Sequence, residues 1–166
     1  MSSIPWMPSL VLLADAGYDW NTYLDIVYQF FRKDFVESSP FYTGVPLKLK
    51  RYPLRDGREA TFWHLVTEGD TESHRVPDEI RCERIRWPRP IIEHVPCSEI
   101  RCWHNRRGSE ERIVLALADY SYVVILAMRS GYLLPWTAYS VERNHHRRKL
   151  QREFQQYQKM TGAATK

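Results

Sequence analysis

The chain has 166 residues, enough for one compact domain with its own core, and its 43% hydrophobic and 13% aromatic content excludes a disordered chain. Lys and Arg number 24 against 20 Asp and Glu, a net charge of +4 with a pI near 9.0, which suits a polyanionic partner without requiring one. Three cysteines, Cys82, Cys97 and Cys102, cannot all pair within one chain, and the apolar run at 10–14 is too short for a secretory signal or a membrane span, so the expectation is a cytoplasmic protein with no membrane association.

Residues 1–18 read as an irregular N-terminal arm that packs Trp6. Asp19 is placed to cap a helix that starts at Trp20, where Tyr23, Leu24, Val27, Phe30 and Phe31 recur at helical spacing until Ser38, Ser39 and Pro40 end it. A hairpin is expected next: 47–50 alternates Leu and Lys, Asp56 and Gly57 make a turn, and EATFWHLV (59–66) returns as a strand. The polar stretch 68–81 reads as a mobile loop. Order resumes at RCERIRW (81–87), and Pro88, Pro90 and Pro96 then prevent any long regular element.

Four strands are expected at 100–104, 112–118, 122–128 and 132–141, with turn residues at Arg107 and Gly108, Asp119 and Tyr120, and Ser130 and Gly131. Links that short favour an antiparallel meander. A basic helix over 142–157 aligns Leu150, Phe154 and Tyr157 on one side. The predicted fold is therefore α+β, a central antiparallel sheet flanked by an N-terminal and a C-terminal helix. One domain covers 19–158, with a flexible tail at 159–166.

Cutting RNA without a metal needs a titratable group near neutrality to take the 2′-hydroxyl proton, and fixed donors for the charge that builds on the phosphoryl oxygens. Histidine meets the first need, with an unperturbed pKa of roughly 6.5. His64 is the candidate; read as part of a strand, it faces opposite to Trp63 and Leu65. Its competing role is a packed core histidine held by a backbone carbonyl. Arg129 closes one strand, and Thr137 and Tyr139, two apart, project from one face of the next beside Trp136. Arg84 and Arg86 beside Trp87 can grip phosphate and stack on a base, or simply form a charged edge over a core tryptophan. The basic run RNHHRRKLQR from Arg143 can add salt-sensitive affinity or remain a solvated helix face. His94, Cys97, Cys102 and His104 are zinc-type ligands close in sequence, but their spacing matches no knuckle, and no cofactor is expected.

The segments TFWHLVTEG (61–69), RCERIRWPRPIIE (81–93), YVVILAMR (122–129) and LLPWTAY (133–139) resemble, in that order, the phage-type branch of the barnase–EndoU–colicin–RelE superfamily of small ribonucleases. The resemblance covers residues 20–157 with loose motifs. It implies a central antiparallel sheet, metal-independent RNA cleavage that leaves a cyclic phosphate, and a toxin or phage-conflict role with a neutralising antitoxin or immunity protein as partner. Carried over, His64 transfers the proton, Arg84 and Arg129 hold the scissile phosphate, and Thr137 and Tyr139 line the site. Apart from the resemblance, Arg86, Trp87 and Trp136 are the residues expected to bind substrate. The family's acidic partner has two candidates here, Glu68 and Glu83. Two other classes fit the same residues: a nucleic-acid-binding module without the chemistry, and a phage-type protein inhibitor of a host factor anchored by aromatics such as Trp6 and Trp136.

Overall fold

The computed structural model describes residues 3–69 and 75–162, so the parts of the expected loop and tail at 70–74 and 163–166 lie outside the described residues. The N-terminal arm is packed down. Trp6 stacks on His94 with ring centroids 4.1 Å apart, and the chain makes a 3₁₀ turn at Leu13–Ala16. Helix α1 (Trp20–Phe31) follows, capped by the Asp19 carboxylate, which accepts from the Thr22 amide at 2.9 Å. Tyr23, Leu24, Val27 and Phe31 bury its apolar face, and the Tyr23 hydroxyl ties the arm down by donating to the Val11 carbonyl at 2.7 Å. The last turn widens into a π-turn, Arg32–Val36.

A small ladder of β1 (Phe41–Tyr42) and β2 (Val45–Pro46) follows. The expected strand at 59–66 is a helix, α2 (Ala60–Val66), and all seven of its residues are buried. A short apolar run enclosed on every side shows no period, so its sequence cannot separate a core strand from a core helix. The helix start is satisfied by the incoming chain instead of a hairpin partner: Ala60 and Thr61 donate their amides to the Arg51 and Lys50 carbonyls at 3.1 and 2.9 Å.

Within the polar stretch expected to be a loop, β3 (Thr67–Glu68) pairs antiparallel with β4 (Val76–Pro77). Helix α3 (Glu79–Glu83) follows, capped by Asp78 through the Arg81 amide at 3.0 Å. The prolines permit a short helix, α4 (Pro88–Glu93), because Pro88 sits in the first turn, where its missing N–H costs nothing.

The four expected strands are all present: β5 (Ile100–Arg107), β6 (Glu110–Leu117), β7 (Tyr122–Arg129) and β8 (Tyr132–Ser140). They form one antiparallel meander in chain order. The terminal helix α5 (Asn144–Thr161) outruns its expected end and takes in the start of the supposed tail. The fold is α+β, and the two terminal helices cover opposite faces of the sheet. One face carries Leu115, Val124 and Leu126 in the main core with α1, α2 and α4. The other presents Trp103, Val114, Val123 and Ile125 to Leu150, Phe154 and Tyr157 of α5. Trp103 and Asn105 fix that helix by donating to the same oxygen, Oε1 of Glu153, each at 2.8 Å.

Candidate functional site

Toward the turn joining β5 and β6, the α5 face of the sheet is left open, and a cavity of about 520 Å³ forms there. It is bounded by His64 from α2, Glu68 from β3, Arg75, Arg81 from α3, Arg107 and Arg112 from the sheet, and Trp136, Thr137 and Tyr139 from β8. His64 stands in the last turn of α2, 7% exposed, with its ring edge-on to Trp136 at 4.9 Å between centroids. It reaches the cavity from a buried helix and not from a strand.

The β8 side depends on one extra residue. Leu126 pairs with Pro135, yet the next residue of β7 inward, Ile125, pairs with Thr137, so Trp136 forms a bulge in the ladder. Leu133 therefore faces the main core, whereas Tyr139, of the same parity, packs on the α5 side. The bulge delivers two consecutive side chains, Trp136 and Thr137, to the cavity, and Tyr139 follows on the same face. The expected sharing of one face by Thr137 and Tyr139 is what the register gives.

Carbonyl oxygens at the end of α2 assemble the arginines, as the negative end of a helix favours cations. The Thr67 carbonyl accepts from both Arg75 and Arg81 at 2.9 Å, and the His64 carbonyl accepts from Arg75 at 3.4 Å. Arg81 also donates to the Thr137 hydroxyl at 3.2 Å and lies 5.8 Å from the Tyr139 ring centre. Behind Trp136, Glu110 accepts from Arg112 Nε at 2.7 Å and from Arg129 at 2.9 Å, which sets both guanidiniums against the indole, 5.8 and 5.7 Å from its centre. Burial opposes ionisation of Glu110, but the bonds from Arg112 and Arg129 outweigh it and hold the carboxyl below its usual range. Burial raises the Tyr139 phenol above its ordinary value against the pull of Arg107, Arg81 and Arg112, so the hydroxyl stays protonated. Four arginines against one glutamate line this cavity. Its chemistry suits a phosphate diester: fixed donors, a flat aromatic wall and an imidazole.

The structure therefore brings His64, Trp136, Thr137 and Tyr139 together, with Arg129 behind Trp136. It places the other three sequence candidates elsewhere. Arg84 pairs with Glu83 at 3.6 Å and lies over Trp87, while Trp87 donates to the Pro8 carbonyl at 3.0 Å and packs edge-on against Tyr122. Arg86 lies over Phe30 of α1. All three belong to the seam between the arm, α1 and the main core, beyond the end of α3 at Glu83. Arg81, one helical turn before Arg84, occupies the place expected for Arg84. Of the two acidic candidates, Glu68 lines the cavity and Glu83 serves Arg84.

Sequence reasoning missed Arg75, Arg107, Arg112 and Glu110. A signal did exist for Arg112 and Arg107, which share strand parity with the buried Val114 and Trp103 and so extend their face beyond the end of α5. The zinc-type residues are dispersed: His94 stacks on Trp6, His104 stacks on Tyr157, and Cys102 Sγ lies 3.0 Å from the Tyr42 hydroxyl. Among the described residues no group of three or more His, Cys, Asp or Glu is arranged to hold a metal ion, and no helix is long and apolar enough to cross a membrane. Compared with family models, curated proteins and solved structures, the chain matches none.

Proposed function

We propose that this chain is a metal-independent endoribonuclease of the toxin or phage-conflict type that cleaves RNA by general acid–base transesterification. The observation that carries the reading is the convergence of His64 with Arg81, Arg107, Arg112, Thr137 and Tyr139 on one cavity from four separate parts of the chain. In this mechanism His64 takes the proton of the 2′-hydroxyl as that oxygen attacks the adjacent phosphorus. Arg81, Arg107 and Arg112, with the Thr137 hydroxyl, face the phosphoryl oxygens where negative charge grows. The bond to the 5′-oxygen breaks, and Tyr139, kept neutral by burial, supplies the proton to that leaving oxygen. Trp136 offers a ring on which a base stacks. A host that carries such an activity needs a neutralising partner to cover the arginine-lined cavity.

The test is incubation of the purified protein with total RNA in the presence of EDTA, with the product ends analysed and His64→Ala run alongside. Cleavage that survives EDTA, leaves 2′,3′-cyclic phosphate and disappears in the variant is the expected result. The burial of the His64 ring against Trp136 favours a second reading, a module that binds the phosphate chain without cutting it. Salt-dependent binding that survives His64→Ala, with no cleavage by the folded wild type, identifies that case.

A further inference from the structure

Next to the arginine-lined cavity the groove widens into a second one of about 680 Å³, between the first half of α5, α3 and the sheet. The two share Glu68, Arg81, Arg107, Arg112, Ile125 and Tyr139 in their walls, so a molecule held in one extends directly into the other. Their character differs. The smaller cavity is strongly basic, whereas the larger has Glu142, Glu153 and Asp78 set against its basic residues and an apolar floor that adds Val114 to the Ile125 common to both. A mixed-charge wall over an apolar floor suits a flat, neutral, hydrogen-bonding molecule, and the volume lies within the range of about 300–1,000 Å³ that holds small organic ligands.

From this geometry we infer that the larger cavity is a nucleobase subsite which prefers bases carrying an exocyclic amino group, with Glu153 as the reading residue. The inference rests on the phosphodiester reading of the smaller cavity. Glu153 is half-buried on the cavity wall, and its Oε1 is pinned by the Trp103 indole and the Asn105 amide. Both bonds fall on one oxygen, Oε1. Oε2 is thus an oriented acceptor. It accepts from the amino group of adenine, cytosine or guanine; uracil offers only its ring N–H, which is flanked on both sides by carbonyl oxygens that repel the carboxylate.

The experiment titrates the full-length protein with inorganic phosphate and with the four 3′-mononucleotides, reading the fluorescence change at the cavity tryptophan. The three amino-bearing nucleotides are expected to bind about tenfold more tightly than 3′-UMP, the worth of one hydrogen bond to a charged group. Glu153→Gln keeps an acceptor for Trp103 and Asn105 but places an amide donor where the second oxygen stood. It is expected to remove the discrimination and leave phosphate binding unchanged. Phosphate binding with equal affinity for all four nucleotides overturns the subsite alone. Failure of phosphate and every nucleotide to bind overturns the phosphodiester reading with it. Should Glu153→Gln fail to fold, the comparison among nucleotides in the wild type still decides the matter.

Discussion

Arg81 and Arg84 stand three residues apart, and the fold gives them different work. The first joins the Thr67 carbonyl to the Thr137 hydroxyl at the cavity; the second lies over Trp87 at the seam with the arm. For the proposed ribonuclease, Arg81→Ala is expected to lower kcat/KM for RNA by about 100-fold or more, the loss typical of one oriented donor to developing charge, whereas Arg84→Ala leaves it unchanged. Steady-state kinetics on a short fluorogenic RNA checks both. Asp34 gives a residue-scale prediction for stability. Burial, against the opposing pull of Arg89 and Arg86, pushes its carboxyl up to about 6 from an ordinary 3.8. The folded state therefore holds this proton more tightly than the unfolded chain. The resulting stabilisation is complete below about pH 4 and disappears as pH rises through about 6. Asp34→Asn removes the cost of the buried charge. The variant is expected to be about 1 kcal/mol more stable than the wild type at pH 7.5, a figure reduced for partial solvent access, and equally stable at pH 4, as urea melts at the two pH values will read.

Among the elements, β8 and α5 decide where chemistry is possible. The bulge at Trp136 means that Leu126 with Pro135 and Ile125 with Thr137 already continue one regular ladder once the extra residue is set aside. Deleting Trp136 is therefore expected to leave a folded sheet with Thr137 and Tyr139 still on the α5 side. Deleting Ala138, which is buried in the main core, turns Tyr139 to the opposite face and unfolds or strongly destabilises the protein. Circular dichroism and thermal melts of the two deletions distinguish them, and equal damage from both sinks the bulge account. Helix α5 is held by a narrow apolar seam of Leu150, Phe154 and Tyr157 and by the Glu153 clasp. Phe154→Ala is expected to cost about 2 kcal/mol in a urea titration, less than a fully enclosed phenylalanine would, since the ring is only part-buried.

For the molecule as a whole, the distribution of charge matters more than the modest net +4. On the proposed nuclease reading, the four arginines at one cavity hold a single-stranded polyanion, and the logarithm of its affinity is expected to fall linearly with the logarithm of salt concentration. Arg107 is exposed and lines both cavities, and Arg107→Ala is expected to lessen that slope by about 0.7, the share of one phosphate contact on a single strand. An unchanged slope would place Arg107 outside the path of the nucleic acid.

The sequence by itself determined the sheet and its flanking helices, because β5 to β8 carry β-branched and apolar residues between short turns, and the spacings in α1 and α5 repeat at helical period. It also determined that Thr137 and Tyr139 share a face, since both lie past the bulge, where the two-residue alternation of the strand is intact. It could not determine that 60–66 is helical, because a fully enclosed apolar run has no exposed side from which to read a period. Only the tertiary structure decided that Arg81 and not Arg84 meets β8, that Arg107 and Arg112 extend the face of Trp103 and Val114 into the cavity, and that Trp136 joins Thr137 there. Those outcomes depend on where a five-residue helix ends and on one residue added to a ladder. Such choices are fixed by packing between distant segments, to which local propensity and spacing are blind.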